Sequence, residues 1–126
     1  MVLIVDDDAD DRFFMEQAFR ADSIHTQVYL ADGGYQALNL LAEIRPLPDV
    51  ILLDLNMPGM TGFEVLEQVK QSVQYQSIRV VILTTSEATT DQERARQLGA
   101  AEFITKPTTY GGLGAIAERL RLTLVQ

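Results

Sequence analysis

Five short apolar runs, each followed by a stretch of helical periodicity, leave this chain few architectures to choose from. The runs are Val2–Val5, Gln27–Ala31, Val50–Leu53, Arg79–Leu83 and Glu102–Thr105, rich in leucine and β-branched residues. Three of them are almost wholly apolar, the pattern of parallel strands covered on both faces. Between the runs, Phe14, Met15, Ala18 and Phe19 share one face of a first helix, with acidic residues near its N-terminus. Ala37, Leu38 and Leu41 mark a second helix after Gly33 and Gly34, and Phe63, Leu66 and Val69 a third after Gly62. A fourth opens on Thr90-Asp91-Gln92-Glu93, which reads as a capping box, and stops at Gly99. The fifth carries Leu113, Ile116, Ala117, Leu120 and Leu124, although the Gly111-Gly112 pair loosens its first turn. A strand–helix unit repeated five times implies an α/β fold, a doubly wound five-stranded parallel sheet with right-handed crossovers. No linker, repeat or low-complexity tract interrupts the pattern, so one domain is expected over residues 1–126.

The fourth helix is the weak one. Its inward residues are only Ala95 and Leu98, while Gln92, Glu93, Arg94, Arg96 and Gln97 are polar. With so little apolar burial it is expected to be the most mobile of the five.

Ligands of open parallel sheets gather at the carboxyl ends of the strands. Those ends carry Asp6 and Asp7, then Asp54, then Thr84-Thr85-Ser86, then Lys106-Pro107. Carboxylates crowded together repel one another until a proton or a cation neutralises them. A hard ion such as Mg²⁺ suits one or two carboxylates with waters and a phosphate. Lys106 and Thr84 can then bind the remaining oxygens of a tetrahedral anion. Carboxylate, metal and lysine are the minimum set for accepting a phosphoryl group on an aspartate.

Composition removes several other classes. A formal net charge of −8 counts against nucleic acid and against an anionic membrane surface. The absence of cysteine rules out disulfides and thiolate metal sites. Met1 leads directly into an apolar run ending in acid, and no apolar stretch approaches the length of a membrane span, so a cytoplasmic protein is expected.

The motifs together resemble a known family. Val-Leu-Ile-Val-Asp6-Asp7-Asp, Ile-Leu-Leu-Asp54-Leu-Asn56-Met-Pro58-Gly-Met-Thr-Gly62, Ile-Leu-Thr84 and Phe103-Ile-Thr-Lys106-Pro107 are similar, in order and spacing, to the receiver domains of bacterial two-component response regulators. The resemblance covers essentially the whole chain and implies a flavodoxin-like receiver fold with five helices and strand order 2-1-3-4-5. It implies Asp54 as phosphoacceptor, taking the group from a phosphohistidine on a sensor histidine kinase or a histidine phosphotransfer protein. Asp7, Asp54 and the backbone carbonyl of Asn56 would bind Mg²⁺, or Mn²⁺ in its place, and Asp6 would hold the ion mainly through water. Thr84 and Lys106 would bind phosphoryl oxygens, and Phe103 would swing inward when Thr84 moves. The resemblance further implies a cis Lys106–Pro107 peptide. Ser86 and Asn56 would flank the attacking water and tune the phosphoryl lifetime.

A charge change at Asp54 would thereby reshape the surface of helix four, strand five and helix five for a downstream protein or a second copy of the chain. The chain is expected to stand alone without an output domain, and in this and in the Thr84-Thr85-Ser86 stretch it resembles stand-alone regulators paired with phytochrome-type kinases. Such a protein is a switch acting on itself rather than an enzyme with an external substrate. A Mg²⁺-dependent aspartyl-phosphate phosphatase is the enzymatic rival, but it often carries an aspartate where this chain has Asn56. A binding module that has lost phosphorylation is the other rival, opposed by the intact Asp7, Asp54, Thr84 and Lys106. Asp8, Asp10 and Asp11 are assigned to a charged helix start, and His25 to a solvated loop. Phe13 is read equally as an edge aromatic and as part of a kinase-docking face.

Overall fold

The computed structural model describes residues 1–20 and 27–124. His25 therefore lies outside the described residues. The strands are Val2–Val5 (β1), Val28–Ala31 (β2), Val50–Leu53 (β3), Arg79–Thr84 (β4) and Glu102–Thr105 (β5). All pair in parallel, in the order β2-β1-β3-β4-β5. The helices are Ala9–Arg20 (α1), Gly34–Glu43 (α2), Gly62–Gln71 (α3), Thr89–Gln97 (α4) and Tyr110–Leu124 (α5).

The apolar strands divide their side chains between two layers with period two. Leu3, Val5, Ile51, Leu53, Val80 and Ile82 face α2, α3 and α4, where Ala37, Leu41, Val65, Leu66, Val69 and Ala95 meet them. Val2, Ile4, Val50, Leu52, Val81 and Leu83 face α1 and α5, packing on Met15, Phe19, Leu113, Ala117 and Leu120. Covering both faces is what lets β1 and β3 be apolar at every position. Phe19 is wholly buried in the second layer. Phe19→Ala is expected to cost about 3–5 kcal/mol in denaturant unfolding; a loss below about 1 kcal/mol would contradict its place in the core.

Two local features differ from expectation. Helix α4 starts at Thr89 with Ala88 as its N-cap, and no side chain caps it. The Thr90–Glu93 box does not form because Ser86 supplies the tie from outside the helix. Its Oγ accepts from the Ala88 N–H (3.2 Å) and donates to Asp91 Oδ2 (2.6 Å). The other end matches expectation: Gly99 has φ +105°, and the Gly99 and Ala100 N–H groups donate to Arg96 and Ala95 carbonyls, a Schellman closure. Within α4 only Ala95 is fully buried, and its C-cap Leu98 is half-buried, so the anchoring is as thin as the sequence implies.

The second difference is at Lys106–Pro107, which is not cis. The cis peptide among the described residues is Arg45–Pro46. Trans is the lower-energy isomer even before proline, by about 0.5–1 kcal/mol. Lys106 reaches its carboxylate partners without the rarer isomer. No helix of the described residues is long and apolar enough to cross a membrane.

Candidate functional site: an acidic cluster around Lys106

Sheet register brings the charged residues together. Val5 and Leu53 are partners across β1 and β3, so Asp6 and Asp54 leave the sheet side by side. The Asp54 N–H donates to the Val5 carbonyl at 3.0 Å, and the Asp6 N–H to the Ala31 carbonyl at 3.1 Å. On the other side Thr84 pairs with Thr105, and the Lys106 N–H donates back to the Thr84 carbonyl, lengthening β4 by one residue over expectation. Gly62 opens α3 directly behind Asp54. A Cβ there would lie 2.2 Å from the Asp54 carbonyl oxygen, so only glycine lets α3 approach this closely.

Asp6 is 1% exposed and Asp54 6%, whereas Asp7 is exposed. Each of the three offers an oxygen within 4.8 Å of the others. Opposite ligands of an octahedral ion with bonds of about 2.1 Å stand about 4.2 Å apart, so a small divalent cation suits this cluster with water completing the shell.

Lys106 closes the other side of the cluster. Its Nζ donates to Asp6 Oδ2 at 2.6 Å and to Asp11 Oδ2 at 2.8 Å, and stands 3.6 Å from Asp54 Oδ2. Burial pushes the Asp6 carboxyl up to about 6, and the Asp54 charge adds to this. The Lys106 hydrogen bond, the Asp8 N–H and the Lys106 charge only partly oppose it. Burial would lower the Lys106 ammonium, but hydrogen bonds to Asp11 and Asp6, then the charges of Asp6 and Asp54, hold it above its ordinary value. It is a fixed cation here.

The expected hydroxyl and aromatic also sit at this edge. Thr84 is wholly buried, and its Oγ1 accepts from Asn56 Nδ2 and from the Ser86 N–H, each at 3.4 Å. The Asn56 N–H donates to Asp54 Oδ1 at 3.3 Å. The Ser86 hydroxyl is engaged by Asp91 on α4, and its carbonyl accepts from Thr105 Oγ1 at 3.0 Å. Phe103 is half-buried on β5 beside a cavity of about 250 Å³ between α4 and β5.

Two residues of the site were not foreseen. Asp11, assigned to a charged helix start, is a direct partner of Lys106. Arg12 donates from Nη1 to the Asp6 carbonyl at 2.6 Å and pins the loop after β1. Asp8 does behave as a helix start, its Oδ1 accepting from the Asp10 and Asp11 N–H groups at 3.0 Å. Phe13 is 52% exposed and packs edge-on against Phe14, whose ring stacks on Tyr110.

Residues 2–118 match the family model of the response regulator receiver domain. The chain belongs to that family. Among relatives, it is 36% identical over 134 residues to the two-component response regulator ARR3 of Arabidopsis thaliana, across 99% of this receiver and 55% of that protein. The receiver thus spans about half of that relative's length. Among solved structures, the phosphorylated cyanobacterial phytochrome response regulator RcpA aligns with a TM-score of 0.93 at 27% identity, covering 99% of this receiver and 93% of that chain. The Mn²⁺-bound response regulator Rcp1 aligns with a TM-score of 0.90 at 27% identity, covering 99% and 94%. The receiver is therefore a two-component signalling module, with the five-stranded flavodoxin-like fold of response regulators.

Proposed function

We propose that this receiver accepts a phosphoryl group on Asp54 from a phosphohistidine of a sensor kinase or phosphotransfer protein, and that the added charge switches a protein-binding surface. The observation that carries the reading is Lys106 Nζ, held 3.6 Å from Asp54 Oδ2 beside the Asp6–Asp7–Asp54 cluster. The RcpA neighbour, described as phosphorylated, and the Mn²⁺-bound Rcp1 support it.

Asp6, Asp7 and Asp54 would hold the divalent ion, Mg²⁺ or Mn²⁺, with the Asn56 carbonyl as a further ligand. When bound, the ion neutralises charge on the transferring group. An Asp54 carboxylate oxygen attacks phosphorus, an O–P bond forms, the P–N bond to the donor imidazole breaks, and that nitrogen leaves with the electron pair. Lys106 directs an N–H to one phosphoryl oxygen and Thr84 its hydroxyl to another. To donate, Thr84 must exchange its present contacts with Asn56 and Ser86, which ties the β4–α4 loop to the state of Asp54.

Phe103 then takes up the space that Thr84 leaves, and the α4–β5–α5 surface changes for a downstream protein or a second copy of the receiver. The thin anchoring of α4 keeps the two states within a few kcal/mol. Asn56 argues against an external phosphatase, because an amide is no general acid. Ser86 and Asn56 are the residues that would set phosphoryl lifetime.

The test is a mass measurement after treatment with acetyl phosphate and Mg²⁺. Wild type is expected to gain one phosphoryl group and Asp54→Asn none. Equal labelling of the two proteins would remove Asp54 from the chemistry.

A further inference from the structure

Lys106 has two acidic anchors, and only Asp6 belongs to the cation cluster. The second is Asp11, which comes from the first turn of α1 and is 17% exposed at its side chain. Its backbone is fixed because the Asp8 carboxylate caps the turn, and Met15 and Phe19 bury the helix behind it. An ammonium has three N–H groups. Asp6 at 2.6 Å and Asp11 at 2.8 Å take two of them, while Asp54 at 3.6 Å lies beyond hydrogen-bond range. The cation on which phosphoryl transfer depends is thus held nearer to two other acids than to Asp54.

We infer that Asp11 is a positioning residue that holds Lys106 off Asp54 and so restrains both the uptake and the retention of the phosphoryl group. The inference rests on reading Asp54 as the phosphoacceptor. A phosphoryl group on Asp54 must draw a Lys106 N–H to one of its oxygens, in competition with a charge-assisted bond to Asp11. Asp11 also contributes a fourth negative charge to a site that already holds Asp6, Asp7 and Asp54, which disfavours an incoming anion. Release is inexpensive on the Asp11 side. The residue lines an open cavity of about 270 Å³ with Thr85, Pro107 and Tyr110, where water can replace the ammonium. Only hydrogen bonds are exchanged, so the restraint is reversible.

The experiment follows labelling of the purified chain by acetyl phosphate and Mg²⁺ with mass detection, then the decay of label after donor removal. Asp11→Asn is expected to raise the initial rate and lengthen the lifetime, each about three- to tenfold, as expected for removal of one charge-assisted competitor. Asp11→Glu keeps a carboxylate and is expected to restore both values to within about twofold of wild type. Asp10→Asn removes the same charge one position away, from an exposed residue without a Lys106 contact, and is expected to change neither value by more than about twofold.

Unchanged or slower labelling of Asp11→Asn overturns the inference, as does an equal gain in Asp10→Asn, which would reduce the effect to bulk charge. A lowered unfolding temperature of Asp11→Asn with no gain in label would mark a merely structural role and overturns it too. Wild type that takes no label overturns the phosphoacceptor reading itself. Wild type that labels beside an unresponsive Asp11→Asn overturns this inference alone.

Discussion

Lys106→Ala protein is expected to take up phosphoryl groups at Asp54 about 100-fold more slowly than wild type. Removing one donor from a site that stabilises developing negative charge typically costs about 100- to 1000-fold, and Lys106 has a second role here. Its ammonium is nearly buried and neutralises Asp6, Asp11 and Asp54 together. Without it, the mutual repulsion of three carboxylates is left uncompensated at the place where a further anion must arrive. A bound divalent cation offsets part of this, which sets the expectation at the lower end of the range.

Breaking a buried pair also costs about 3–5 kcal/mol of stability because the partner charges remain. Unfolding curves therefore have to show that the variant is folded under the assay conditions. Initial rates at saturating acetyl phosphate and Mg²⁺ decide the matter. A Lys106→Ala rate within about threefold of wild type would mean that Lys106 does not act on the transferring group. Lys106→Arg separates charge from shape. It keeps a cation in the cluster, but its planar fork cannot reproduce a compact ammonium donating to Asp6 and Asp11 at once, so an intermediate rate is expected.

Much of this site can be read along the chain because it is built from strand ends. Apolar runs of four or five residues fix where each strand stops, and parallel pairing brings the next residues to one edge. Asp6, Asp54, Thr84 and Lys106 follow from that rule without knowledge of side-chain positions. Residues whose role depends on direction rather than position were harder to read. Asp11 has a sufficient local explanation, an acid in the first turn of a helix, and that explanation hides its contact with a residue 95 positions away. The available signal is its register. With Asp8 as N-cap, Asp11 is the third helical residue, and side chains there reach back over the helix start toward the strand end. The start of α4 was misplaced for the opposite reason. The Thr90–Glu93 spacing is a sound local signal, overridden because Ser86, fixed by its neighbour Thr84 at the sheet edge, supplies the tie to Asp91.

Divalent-cation affinity is expected to fall roughly tenfold between pH 7 and pH 5, with Asp6 as the cause. Burial raises its carboxyl from the ordinary 3.8 to about 6, so about half of it carries a proton at pH 6 and only about a tenth at pH 7. A cation bound by the cluster needs the carboxylate and must displace that proton. Below pH 6 each unit then costs about a factor of ten, and above pH 7 Asp6 contributes no slope. Linkage to folding has a definite sign. The folded chain holds the Asp6 proton more tightly than the unfolded chain, so this term favours folding fully below pH 3.8 and is lost as pH rises through about 6. Saturating cation removes that loss, because it binds the anion which burial disfavours. Added Mg²⁺ should therefore raise the unfolding temperature more at pH 7.5 than at pH 5. Calorimetric titration with Mn²⁺ at pH 5, 6, 7 and 8 reads the affinity directly. Asp6→Asn should bind more weakly and lose most of the slope between pH 7 and pH 5. A wild-type affinity that stays level from pH 7 to pH 5 would show that the buried carboxyl is already ionised throughout, and that burial at the end of β1 does not set the proton.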